Sequence, residues 1–105
     1  MNKSEQKFQV YLTVLRFIVF KVTANLKRVY LDIDLENKKV ILTAFYLVTP
    51  TELEIELFDD IRTNSEAHLP DLFVNGKTKL IEEYNNEDHE FVVFSVYEDI
   101  NELKE

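Results

Sequence analysis

The sequence contains no cysteine, a single glycine (Gly76) and two prolines among its 105 residues. Without thiols the chain can form neither a disulfide framework nor a thiolate metal site. Such a composition suits a reducing compartment, so a cytoplasmic location is expected. One glycine is too few for a phosphate-binding P-loop or a dinucleotide-binding fingerprint. Because glycine and proline are scarce, we expect mostly regular structure. Because the phosphate- and dinucleotide-binding motifs are missing, we expect no cofactor.

The apolar content indicates one folded domain over residues 1–105. For the acidic tail at 98–105 the sequence leaves two alternatives open, fraying or a helical turn. Hydrophobic residues make up 46% of the chain and include eight Phe and five Tyr, which suffices for a core and argues against disorder. The apolar run 8–22 is too short to span a membrane, and Arg16 and Lys21 interrupt it. No small-residue cleavage site follows it, so neither a membrane segment nor a signal peptide is expected.

Charge is distributed unevenly along the chain. Residues 1–30 carry six Lys or Arg and one acid, whereas residues 31–105 carry nineteen acids and six Lys or Arg, for a net charge of −8. A field of one sign raises the rate of encounter with an oppositely charged partner by roughly 10- to 1,000-fold at low salt. It also repels phosphates. A basic partner is therefore expected, and nucleic acid is not.

The order of the periodic segments predicts an α+β fold, α-β-β-α-β-β, with about four antiparallel strands packed with an N-terminal and a central helix. Helical spacing predicts a helix over 8–22, although its β-branched and aromatic content leaves a strand open. The expected apolar face of this helix comprises Phe8, Tyr11, Leu12, Leu15, Ile18, Val19 and Val22.

Alternation of apolar and polar residues predicts strands over 28–35 and 40–47, joined by a turn at 36–38. The second face of 40–47 is apolar as well, so a covering helix is expected there, with an exposed binding patch as the alternative. Further strands are predicted over 77–84 and 90–97. Asn75-Gly76 is expected to form a turn before the first of them. The other strand should lie in the centre of the sheet, because both of its faces are apolar.

Two overlapping capping patterns predict the start of the second helix. Either Thr49 caps it with Glu52, or Thr51 caps it with Glu54, and Pro70 ends it. The expected apolar stripe is Leu53, Leu57, Phe58 and Ile61. The expected solvent side is Glu52, Glu56, Asp59, Asp60, Thr63 and Glu66.

Candidates for catalysis are few. His68 lies near a predicted helix end, where a histidine usually interacts with the helix C-terminus. The sequence Asp88-His89-Glu90 places a carboxylate beside an imidazole, but one such triplet is a weak signal. Asp32, Asp34 and Glu36 form a row that could ligate a hard cation, although a calcium loop needs more ligands and a glycine. Solvated surface is the favoured interpretation of both groups, so neither an enzyme nor a metal site is expected.

Several short stretches resemble small bacterial immunity proteins that accompany toxins of contact-dependent growth inhibition and related polymorphic toxin systems. They are residues 24–29 (ANLKRV), 34–40 (DLENKKV), 45–46 (FY), 60–63 (DIRT) and 67–70 (AHLP), and the resemblance covers most of 15–97. At 47–50 the chain reads LVTP, where the relatives carry an acidic, glycine-containing turn. The resemblance implies stoichiometric occlusion of a cognate toxin, most simply a basic nuclease.

On this interpretation, acidic side chains bind the toxin and aromatic anchors slow its dissociation. The predicted partner-binding residues are Tyr30, Asp32, Asp34, Glu52, Glu56, Asp59, Asp60 and Glu66. One alternative is another interaction module, such as a homodimeric regulatory subunit or a chaperone adaptor. The other is an enzyme or ligand binder that uses His89 with Asp88, or a metal on Asp32 and Asp34.

Overall fold

The computed structural model of the chain describes residues 2–85 and 87–96, which form two α-helices and four strands. In chain order these are α1 (Lys3–Ile18), β1 (Leu26–Asp34), β2 (Lys39–Tyr46), α2 (Glu52–Ala67), β3 (Phe73–Leu80) and β4 (Phe91–Ser95). A one-turn 3-10 helix, Ile81–Glu83, stands between β3 and β4, where the predicted order had none. The α+β class is confirmed, while the predicted tail at 98–105 lies outside the described residues.

The sheet is mixed, and the prediction of a wholly antiparallel sheet was wrong. Its order among the described strands is β3-β2-β1-β4. β1 is antiparallel to β2 and to β4, but β3 is parallel to β2. Parallel neighbours need a crossover connection, and α2 supplies it. β4 lies at an edge of this sheet rather than in its centre, and its Val92 is 52% exposed, so its second apolar face is not covered.

β3 runs without interruption through Asn75-Gly76, where the sequence predicted a turn. Gly76 pairs with Leu42 of β2 in the middle of the strand and does not have a positive φ. A Cβ at this position would lie 2.9 Å from Cε2 of Phe58, a side chain of α2. Glycine in a strand often marks a close approach of another element. Here it lets α2 lie directly on the sheet.

Both helices pack on one face of the sheet. The N-terminal helix is confirmed, but it buries Val10, Val14 and Ile18, while Phe8 and Leu12 are 50% and 42% exposed. Because this segment is apolar on nearly all sides, helical spacing alone did not identify the buried side. The buried residues of α1 pack in a core with residues of β1 (Val29, Leu31, Ile33), β2 (Val40, Leu42, Ala44) and α2 (Phe58, Ile61).

The second capping pattern defines the start of α2. The Thr51 hydroxyl accepts a hydrogen bond from the Glu54 N–H (3.2 Å), and the Glu54 carboxylate accepts one from the Thr51 N–H (3.0 Å). The buried side of α2 comprises Glu54, Phe58, Ile61 and Ser65. Leu53, predicted to be buried, is 62% exposed.

The other face of the sheet is covered by the chain around the 3-10 turn, not by the helix that was expected. Tyr84 packs edge-on against Phe45 of β2, with ring centroids 5.5 Å apart. Phe45 is fully buried as a result, whereas Leu47, just beyond β2, is 56% exposed.

Candidate interaction surface

The exposed side of α2 carries a row of acidic side chains. Glu52, Glu56 and Asp60 are four residues apart and therefore follow one line along the helix. All three are exposed, as is Asp59 beside them. The helix begins at a satisfied cap and is held on its other side by Phe58 and the core, so these carboxylates have a rigid support.

Two of these acids have cationic partners. Asp59 accepts a hydrogen bond from Nε of Arg62 at 2.9 Å, and Nη2 of the same guanidinium lies 2.9 Å from the same carboxylate oxygen as an ion pair. Asp60 lies 3.3 Å from Nζ of Lys21, in the loop after α1. The side chains of Glu52 and Glu56 make no ion pair or hydrogen bond with the rest of the described chain. Uncompensated charge is therefore concentrated in the first two turns of α2.

Glu66 lies on a different side of the helix from this row. Its carboxylate accepts a hydrogen bond from the Val74 N–H at 2.9 Å, and Nη1 of Arg62 donates to the Val74 carbonyl at 3.2 Å. Val74 lies in β3. Its neighbour Phe73 donates its N–H to the Lys38 carbonyl, on the β2 side of the strand, so the N–H and carbonyl of Val74 face away from β2. The two α2 side chains therefore satisfy outward-facing backbone groups at the edge of the sheet, which gives Glu66 a structural role.

The three predicted site residues of β1 lie on the opposite face of the sheet from the helices. Tyr30, Asp32 and Asp34 alternate with core residues of the strand, and Tyr30 is only 7% exposed. Asp34 accepts hydrogen bonds from the Asn37 side chain (2.7 Å) and its N–H (3.2 Å) in the following turn. These bonds, the side-chain bond first, lower the pKa of Asp34. The predicted surface is thus divided between two faces of the protein.

Asp32 is engaged with residues that follow the 3-10 turn. Its Oδ2 lies 2.6 Å from Nδ1 of His89, and its Oδ1 accepts the Glu90 N–H at 3.0 Å. Nε2 of His89 lies 3.2 Å from Glu87, but outside hydrogen-bond geometry. Asp88, the neighbour proposed from the sequence, is exposed and makes no such contact. Asp32 and His89 meet because β1 pairs with β4, which brings the residues just before β4 beside Asp32. Nothing in the local sequence indicated this contact.

Aromatic rings pack around this imidazole. Tyr30 stacks on His89 at 4.4 Å and on Tyr84 at 5.9 Å. Tyr84 has a raised pKa, first because of its hydrogen bond with Tyr30 and then because of burial. The His89 side chain is only 8% exposed. An imidazole held between carboxylates and covered by a ring has little access to substrate. The arrangement instead fastens Tyr84, His89 and Glu90 to the sheet.

The remaining candidates for chemistry also have structural contacts. His68 caps the C-terminus of α2, with Nδ1 2.9 Å from the Asn64 carbonyl oxygen, and packs on Phe17 at 4.9 Å. Within residues 2–85 and 87–96, no group of three or more His, Asp or Glu is arranged to hold a metal ion. A cleft of about 500 Å³ opens beside the start of α1, and no predicted site residue lines it.

The Glu54 side chain connects the start of α2 to the loop that follows α1. Its carboxylate accepts hydrogen bonds from the Thr23 hydroxyl and from Nδ2 of Asn25 (3.2 Å), besides the N–H of Thr51. These bonds, led by that of Thr23, lower the pKa of Glu54. Asn25 also bonds the N–H and the carbonyl of Val48, both at 2.9 Å. The loop after α1 and the loop before α2 therefore form one connected unit.

This connected unit carries an apolar surface that sequence reasoning missed. We call it the apolar end: Phe20, Val22, Leu47, Val48 and Leu53, which are between 41% and 96% exposed. It lies beside the first turns of α2, where Glu52 and Glu56 stand. The sequence did not indicate that Leu47 and Leu53 are exposed, because each continues the apolar face of its predicted strand or helix.

No protein-family model matches the chain, and no curated protein is significantly similar to it. Neither helix in the described part of the chain combines the length and the apolar character needed to cross a bilayer.

Proposed function

We propose that this protein is a non-catalytic inhibitor of a basic protein, of the kind represented by immunity proteins that neutralise nuclease toxins. The observation that carries the proposal is the exposed acidic row of α2 beside the apolar end. An apolar centre with a polar, charged rim is the usual anatomy of a protein interface. Complementary charge at the rim increases the association rate and restricts the choice of partner.

The two parts of this surface have different roles. Glu52 and Glu56 have no cationic partner in the described chain, so they offer their full charge to lysine or arginine side chains of the toxin. Those cations would otherwise bind substrate phosphates, so carboxylates in their place would exclude the substrate. The apolar end supplies contact area that water must leave, and such area governs dissociation.

The enclosed state of His89 also favours binding over catalysis. A general base must reach the proton that it removes. His89 is nearly covered, and both of its nitrogens face carboxylates of its own chain. A toxin inhibitor acts stoichiometrically and requires no such group.

The test is co-expression with the C-terminal domain of the protein encoded immediately upstream of this gene, which the proposal predicts to be a toxin. We expect the toxin to lose its lethality and a 1:1 complex to survive purification. Reversing Glu52 and Glu56 to lysine should lower the association rate by roughly 10-fold or more at low salt. Reversal of Glu36 and Glu82, which are exposed elsewhere, is the charge-matched control and should have a much smaller effect. A toxin that stays lethal and forms no complex would show that the proposal is wrong.

A further inference from the structure

The loop after α1 contains an unusual backbone conformation at an aromatic residue. Lys21 N–H donates to the Ile18 carbonyl at 3.0 Å, Val19 has φ −59° and ψ 130°, and Phe20 has φ 66°. These values describe a type II turn, whose third residue needs a positive φ and is normally glycine or asparagine. A bulky side chain is disfavoured there because its Cβ crowds the backbone.

Packing within the described chain does not compensate for this strain. The side chain of Phe20 is 96% exposed, the highest value among the exposed large apolar residues. Among the described residues, two other non-glycine residues have a positive φ, Lys38 and Asp71, and both are polar residues in surface turns. Strained conformations of this kind occur preferentially at binding and catalytic sites. The fold of the free protein gives no reason for a phenylalanine at position 20.

We propose that Phe20 is the aromatic anchor of the partner interface and inserts into an apolar pocket whose rim carries lysine or arginine. The inference rests on the proposed function, since it assigns the central contact of the same interface. Charge around the ring supports a basic rim. The adjacent Lys21 is already paired with Asp60, and Glu56 lies one turn away from Asp60 on α2. A basic pocket rim that reaches α2 would therefore meet the Glu56 carboxylate, which has no cationic partner in the described chain.

The turn also prepares Phe20 for binding. A phenylalanine has two side-chain torsions, so it loses little conformational freedom when a pocket fixes it. The type II turn fixes the direction of its Cα–Cβ bond before the partner arrives. The other residues of the apolar end, whose loops are joined by Asn25 and Glu54, supply further contacts that can exclude water from the interface, as near-neutral contacts do around an interface hot spot.

The experiment compares the purified protein with Phe20→Ala and Phe20→Gly in biolayer interferometry. The probe is the C-terminal domain of the upstream-encoded protein used in the co-expression test. We expect the dissociation rate to rise roughly 30-fold in both variants while the association rate changes little. Phe73→Ala is the matched control, because Phe73 is also exposed, at 66%, but lies on β3. It should dissociate like the wild type.

Urea unfolding provides the second measurement. Because the ring makes no compensating contact, Phe20→Gly should unfold at the same urea concentration as the wild type or at a higher one. A lower midpoint would assign the ring to the protein's own fold and overturn the inference. So would a wild-type dimer that Phe20→Ala dissociates, since the ring would then pack on a second copy.

The outcomes separate this inference from the proposed function. If the wild type binds the toxin and the Phe20 variants dissociate no faster, Phe20 is not the anchor, and inhibition by the acidic face still stands. If the wild type forms no complex, the proposed function and the anchor are both wrong.

Discussion

Replacing Gly76 by alanine tests how closely α2 lies on β3. The new methyl carbon would lie 2.9 Å from Cε2 and 3.3 Å from Cζ of Phe58. The Phe58 side chain is only 6% exposed, so the ring has little room to move. Adding a methyl group to such a contact costs about 1–3 kcal/mol. The lower entropy of the unfolded chain returns about 0.4–1 kcal/mol. The net loss therefore lies between about 0 and 2.6 kcal/mol and is centred on about 1.3 kcal/mol.

Urea unfolding followed by circular dichroism measures this loss. With a denaturant slope of about 1.5 kcal/mol/M, the midpoint should fall by about 1 M. The slope itself should not change, because the variant buries the same surface.

A second substitution identifies the cause. In a Phe58→Leu background the two ring atoms nearest the new methyl group are gone, so Gly76→Ala should cost much less there. The difference between the two backgrounds is the coupling energy of the pair. An equal loss in both backgrounds would refute the close approach, since a turn at Asn75-Gly76 would also reject alanine but would not depend on Phe58.

Three further predictions concern carboxylates with structural contacts. Glu54 has a lowered pKa, so its stabilisation is present above the pKa of the unfolded chain and is lost as the pH falls through the lower folded value. Glu54→Gln should therefore flatten the acid side of the stability profile in urea titrations, and unchanged acid sensitivity would contradict this. Asp32→Ala should lower the free energy of unfolding by about 1–3 kcal/mol through its lost contacts with His89 and Glu90, whereas Asp88→Ala should stay within about 0.5 kcal/mol; calorimetry that found equal effects would reject the assignment. Glu66→Ala leaves the Val74 N–H open at a sheet edge, so sedimentation velocity should detect self-association, and a monomer at every concentration would show that Glu66 does not guard the edge.

The start of α2 could be predicted because its determinants are local. Thr51 and Glu54 satisfy each other across three residues, and the sequence contains both. Two capping patterns competed, however, and the choice depended on contacts from Thr23 and Asn25 to Glu54. The sequence therefore placed the helix start to within two residues, and tertiary contacts selected the cap.

β3 shows where local signals fail. Asn-Gly is a strong turn signal because both residues tolerate positive φ. In this protein the glycine instead accommodates Phe58, which is 18 positions earlier in the chain. β3 is parallel to β2 because α2 carries the chain back across the sheet between them. No short-range sequence pattern distinguishes this parallel arrangement from the antiparallel one that was predicted.

The candidate surface could be predicted only in part, because helical periodicity is a local signal and contacts between distant segments are not. Helical periodicity correctly placed Glu52, Glu56, Asp59 and Asp60 on the exposed side of α2. It could not reveal that Glu66 bonds to β3, or that Asp32 meets His89 across 57 positions. Phe20 was not identified either, because nothing in the sequence marks a phenylalanine that adopts a positive φ.

The position of β4 has a consequence during synthesis. β1 and β2 pair as neighbours in the chain, but Arg28 pairs with Ser95 and Leu31 with Phe91. Domains form from the N-terminus as the ribosome releases roughly 5–20 residues per second. Until residues 91–95 emerge, β1 remains an open edge strand, which can template pairing with another chain.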